Sequence, residues 1–222
     1  KLAPHLAKLG VNSVRFHHMD NQSAPGGIWA NALVEGERVF DDEMVDRLDY
    51  FLAKLHEQGI YSDLNLQVSR TLTPEEGYPS LRDVPWWATF NKWAMYYDPD
   101  IQREFKRYCR LLLTHKNPYR NGRRRVDDPG IAVVEMLNEN YFSEKGYSLY
   151  NRLPSRFQKS LVAAWNRWLV GKYRSTAALV AAWDEGQTGL GNCLITSESW
   201  RAAFEPWIVT GGFEGDRCRV QW

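Results

Sequence analysis

The stretch IAVVEMLNEN, Ile131 to Asn140, decides how this chain is read. Its apolar, partly β-branched residues predict a strand over 131–138, entered from the turn Asp128-Pro129-Gly130. On that strand Glu135, Leu137 and Glu139 share one face. A carboxyl group at such a strand end can be a solvated terminus. It can equally be a partly desolvated acid, whose raised pKa suits general acid catalysis. Taken alone, the pair Asn138-Glu139 reads as the plainer of these, a polar strand end.

Two further strands change that balance. VNSVRFH (11–17) follows Gly10, and IYSDLNLQV (60–68) follows Gly59. Leu2, Leu6 and Leu9 predict a helix before the first glycine. Asp41 reads as the N-cap of a helix carrying Met44, Val45, Leu48, Phe51, Leu52 and Leu55 at helical spacing before the second. Asp98 and Pro99 open a third helix, with Ile101, Phe105, Tyr108 and Leu112 on one face. Strands alternating with crossover helices predict a parallel sheet. Helix-to-strand links are close to a single glycine at Gly10 and Gly59, whereas 18–40 and 69–97 are long. The long links therefore gather at the carboxyl ends of the strands, the face that carries the active site in α/β barrels. The link 116–130 falls at the other end, and its arginines, Arg120 to Arg125, read as a solvated loop.

Composition excludes several classes of function. The chain has 222 residues, 44% hydrophobic and 25% charged, with a formal net charge of +1. That balance offers no field for nucleic acid or an anionic membrane. No apolar run is long enough to span a bilayer, and no signal peptide is visible. Three cysteines form neither a disulfide framework nor a metal-binding spacing, and no cofactor is implied. The opening KLAPHLAKLG starts inside an element, so a fragment of a longer chain is expected.

Polar groups converge on the predicted carboxyl-end rim. Arg15 and His17 share a face of the first strand, and Asn65 and Gln67 share a face of the second. With Asn138 and Glu139 they form one candidate site, in which a guanidinium would hold a carboxylate ionised. The segment WWATFNKWAMYY (86–97) adds Trp86, Trp87 and Trp93, whose flat faces can stack on a ligand. Tyr141 and Trp29 are lesser candidates on the same rim.

GVNSVRFHH (10–18), GIYSDLNLQ (59–67) and VEMLNEN (134–140) together resemble strands two, three and four of the cellulase-like family five of clan A glycoside hydrolases. The resemblance covers roughly 1–141. It implies a partial (β/α)8 TIM barrel and a poly- or oligosaccharide substrate, with no nucleic-acid or membrane partner. It also implies a secreted or periplasmic setting. Glu139 would be the acid/base, Asn138 would bind the sugar 2-hydroxyl, and Arg15 would support the nucleophilic carboxylate. Reaction would proceed by double displacement with retention. Gln67 stands where the family has His. The family's nucleophile lies on a seventh strand that is not recognisable here, and Glu198, Glu205 and Glu214 do not fit it. The chain alone is therefore expected to be inactive and marginally stable.

A non-catalytic sugar-binding or scaffold barrel is the alternative. A metal-dependent isomerase would need more ligands than His17, His18 and Glu139. Mannans, glucans and galactosides all fit the motifs. The organisation expected is a partial barrel over 1–156, a helical extension over 157–189 and, over 190–222, either the start of an all-β, carbohydrate-binding-like module or an irregular tail.

Overall fold

A computed structural model describes residues 1–21, 23–68, 70–79, 94–138, 150–183 and 189–195. The chain divides into two compact units, one of 1–79 with 100–140 and one of 80–99 with 141–222. Among the described residues no helix is long and apolar enough to cross a membrane.

The first unit begins with α1 (Leu2–Lys8), β1 (Ser13–Phe16), the strands β2 (Trp29–Val34) and β3 (Glu37–Phe40), α2 (Asp42–Glu57) and β4 (Tyr61–Asn65). It continues with α3 (Pro99–Thr114), the short pair β5 (Lys116–Asn117) and β6 (Arg123–Arg124), and β7 (Ile131–Glu135). The sheet order is β1-β4-β7, and both pairings are parallel, as the alternation of strands and helices predicts. The α/β class of the fold follows directly.

Both short links are the same hydrogen-bonded device. After α2, Gly59 N–H donates to His56 O (2.9 Å) and Ile60 N–H to Leu55 O (3.0 Å). Gly59 sits at φ +72°, and Ile60 packs on Leu55 in a buried cluster. This is a Schellman closure with its apolar clasp. After α1, Gly10 N–H bonds Ala7 O (3.0 Å) and Val11 N–H bonds Leu6 O (3.1 Å), with Gly10 at φ +79°. At the other end of α2, Asp41 accepts from Met44 N (3.0 Å), which caps the helix.

One face of the sheet is the core. Leu64 and Leu66 are wholly buried with Val45 and Leu52 of α2, Tyr108 and Leu112 of α3, and Ile28 and Trp29 of the hairpin. Parallel pairing matches Arg15 with Asp63 and Asn65 with Glu135, so these side chains share the opposite face. The expected third strand is shorter than 131–138 and stops at Glu135.

Two readings of loops are corrected. The 18–40 link holds the β2–β3 hairpin, closed by Glu35 and Gly36 at φ +52° and +82°. Two consecutive positive φ values make a type I′-like turn, but Glu in place of Asn or Asp hid the signal. The Arg120–Arg125 loop is not uniformly solvated. Arg125 is 1% exposed and donates to Asp49 Oδ1 (2.6 Å) and Leu112 O (3.0 Å). Asp49, also 1% exposed, takes His115 Nε2 at 2.6 Å on its other oxygen. Arg120 clasps Asp128 through two bonds of 2.9 Å.

In the second unit α4 (Ser155–Tyr173) buries Phe157, Leu161, Trp165 and Leu169, a stripe at helical spacing. Trp165 stacks on Trp168 at 5.4 Å. α5 (Thr176–Trp183) follows, and Ser175 Oγ accepts from Ala178 N (3.2 Å) at its start. Asn166 bonds the backbone of Cys193 in both directions at 2.8 Å. Residues 192–195 carry no strand, and the rest of the expected all-β stretch, 196–222, lies outside the described residues.

Replacing Arg125 with Met should cost about 3–5 kcal/mol, because the buried Asp49 carboxylate loses its guanidinium partner. Urea denaturation reads this directly. A midpoint unchanged from the wild type would show the pair to be dispensable. Gly130→Ala should cost about 1–3 kcal/mol, since an added Cβ would lie 2.5 Å from His56 Nδ1. The same denaturation series checks it.

Candidate active site

The carboxyl ends of β1, β4 and β7 carry one polar cluster centred on Glu135. Arg15 Nε donates to both Glu135 oxygens, at 3.1 and 3.0 Å, and Nη2 donates to Oε2 at 2.5 Å. The same Nη2 donates to Asn138 Oδ1 at 2.9 Å. Asn65 Nδ2 donates to Glu135 Oε2 and lies 3.5 Å from His17 Nδ1. Asn138 N–H bonds Gln67 O at 2.9 Å, which extends the β4–β7 ladder past the last strand residue. Four of the expected residues, Arg15, His17, Gln67 and Asn138, are thus gathered at one rim.

The charges here are unequal by design of the surroundings. Hydrogen bonding to Arg15 holds the Glu135 carboxyl below its ordinary value, which keeps it ionised. Burial, then the neighbouring Glu135 charge and a hydrogen bond with it, pushes Asp63 up. Asp63 is 3.9 Å from Arg15 Nε. Burial first, then His18 and Arg15, lowers His17 and favours its neutral form. His17 and His18 meet edge to face at 4.2 Å.

Asn65 is fully buried and Gln67 is 5% exposed. Among the described residues Asn65 Oδ1, Gln67 Oε1 and Asp63 Oδ1 meet no donor. Asp63, Asn65 and Gln67 alternate along β4 and its continuation, so these buried acceptors lie on one side of the sheet. Among the described residues no group of three or more His, Cys, Asp and Glu side chains is arranged to hold a metal ion.

A second cluster braces the loops behind this rim. Asp20 is wholly buried, and its Oδ2 accepts from Val68 N (2.8 Å) and Arg70 N (3.0 Å). Arg70 lies 4.4 Å over the Trp29 ring and is paired with Glu76 (2.7 Å) and Glu104 (3.2 Å). Trp29 is 2% exposed and belongs to the apolar core, so it is not the rim platform expected of it. A tryptophan packed between the hairpin and α3 has no free face.

Glu139, Tyr141, Trp86, Trp87 and Trp93 lie outside the described residues. Glu135 and Asp63 were not singled out as site residues from the sequence. Alternation could have found them, since Glu135 shares a face with Glu139 and Asp63 with Asn65.

No family profile matches the chain. A mannan endo-1,4-β-mannosidase 2 of Oryza sativa subsp. japonica is 31% identical to it over 116 residues, 49% of this chain and 25% of that protein. The match supports the resemblance to cellulase-like glycoside hydrolases. It agrees with the motif resemblance of the three strands, and the chain spans about a quarter of that curated relative's length. The crystal structure of the endo-1,4-β-mannanase from Rhizomucor miehei superimposes with a TM-score of 0.50 at 16% identity, covering 77% of this chain and 47% of that one. That likeness carries the α/β fold of the glycoside-hydrolase relatives.

Asp63 supplies a pH test of this cluster. The fold binds its proton more tightly than the unfolded chain does, so stability is lost as pH rises above the ordinary aspartate value of 3.8. Glu135 has the opposite sign and loses its contribution only as pH falls below its ordinary 4.5. Asp63→Asn should therefore gain in melting temperature over the wild type between pH 3.5 and pH 7. An equal difference at both pH values would show that folding does not strengthen the hold of Asp63 on its proton.

Proposed function

We propose that the chain forms strands two to four of a glycoside-hydrolase TIM barrel that cleaves the glycosidic bonds of a polysaccharide. The observation that carries this reading is the convergence of Arg15, Asn65, Glu135 and Asn138 at the carboxyl ends of three parallel strands, immediately before Glu139. Glu139 is assigned as the acid/base. It would protonate the departing oxygen and then activate water, in a retaining double displacement. Asn138 would hold the sugar 2-hydroxyl, and Arg15, His17 and Gln67 would complete the polar wall. Trp86, Trp87, Trp93 and Tyr141 are assigned as surfaces for sugar rings. The second carboxylate that double displacement requires is assigned to no residue of this chain.

β-1,4-Mannan is the first substrate to test, because both similar proteins are named for mannan cleavage. Residues 1–156 are the catalytic part in this reading, 157–189 a helical extension and 190–222 the opening of a binding module.

The test uses the full-length protein and reducing-sugar release from β-mannan, with β-glucan and galactan in parallel. Glu139→Gln should lower kcat by roughly a hundred- to ten-thousand-fold. Unchanged hydrolysis in that variant would falsify the acid/base assignment. Failure of the wild type on every polysaccharide would favour a sugar-binding role.

A further inference from the structure

We infer that Glu135 is a positioning residue that sets the side chain of Asn138 through Arg15. This inference rests on the glycosidase reading above. The Asn138 backbone is tied by its N–H to Gln67 O at 2.9 Å, which leaves its side-chain torsions to be fixed. Arg15 fixes them by donating from Nη2 to Asn138 Oδ1 at 2.9 Å. That bond sets the orientation of the amide, with its carbonyl end on the guanidinium and its NH2 end on the other side. Asn138 then acts towards the sugar as a donor, and a hydroxyl beside it accepts.

Arg15 can do this only if its own direction is set. It is half-exposed and rises from a strand end, and a long side chain in that setting has several rotamers. Glu135 removes that freedom by taking both Nε and Nη2, the two edge positions of one side of the guanidinium. Glu135 is in turn held by Asn65, which is fully buried and donates to Oε2. The order of support therefore runs from a buried amide to a carboxylate, to a guanidinium, to the amide of Asn138. Glu135 touches no substrate in this arrangement. Its effect on recognition of the 2-hydroxyl is confined to what Asn138 contributes.

That confinement makes the inference testable with the full-length protein. The substrates are an aryl mannobioside, or the cellobioside if it is cleaved faster, and its counterpart lacking the 2-hydroxyl on the ring that bears the aryl group. In the wild type, removing that hydroxyl should lower kcat/KM by roughly ten- to a hundred-fold. Asn138→Ala should bring the ratio between the two substrates close to one. Glu135→Gln, which keeps size and shape, should collapse the ratio in the same way. The double variant should discriminate no less than either single one. Glu135→Asp keeps the charge and should restore part of the ratio.

If Glu135→Gln lowers both substrates equally and keeps the wild-type ratio, Glu135 is a stabilising residue only and the inference is overturned while the glycosidase reading stands. A wild-type protein that cleaves neither aryl glycoside nor any polysaccharide overturns the glycosidase reading, and this inference with it.

Discussion

Burial of Leu64 and Leu66 is the constraint on which the rest of the first unit depends. Both are at 0% exposure beneath α2 and α3. Side chains of a strand alternate, so sealing these two against the helices forces Asp63, Asn65 and Gln67 to the opposite side. A slip of one residue would bury the polar set under the helices. It would also expose two leucines, at about 1.5–3 kcal/mol for each side chain. The polar face is thus specified by the apolar one. The parallel pairings then bring Arg15 and Glu135 to the same face as Asp63 and Asn65.

The polar face is not a collection of independent charges. Arg15 lies between two carboxyl groups, and their environments separate them. Arg15 favours the ionised form of the group it grips, while burial and that neighbouring charge favour the protonated form of Asp63. Such a division limits like-charge repulsion without adding a second cation. It also leaves the hydrogen-bond directions of the cluster largely determined, since every donor of Arg15 on the Glu135 side has an assigned acceptor.

Much of this was legible in the residue pattern, for identifiable reasons. Long helical stripes such as Ile101, Tyr108 and Leu112, caps such as Asp41 and the glycine-ended links are local signals, and each appears where expected. Arg15, His17, Gln67 and Asn138 could be placed on one rim because period-two alternation and parallel order suffice for that. Glu135 was harder to see. Its importance comes from partners 70 and 120 positions away, which no window of sequence contains. Arg125 failed for a related reason. An arginine in a basic loop looks solvated until its distant acceptor, Asp49 on α2, is brought beside it. Trp29 illustrates the reverse case, in which an aromatic residue expected at the surface is needed to fill the core.

The two glycine closures after α1 and α2 have an evolutionary consequence. Both are completed entirely by main-chain bonds and one apolar clasp, and both lie at the same end of their strands. These two links tolerate little change in length, because an inserted residue would break the bond from the residue after the glycine. At the opposite end the chain already accommodates a hairpin between β1 and α2. Insertions and deletions can accumulate there without disturbing strand register. Two links of fixed length thus leave the 18–40 connection as a place where binding preferences can change without shifting strand register.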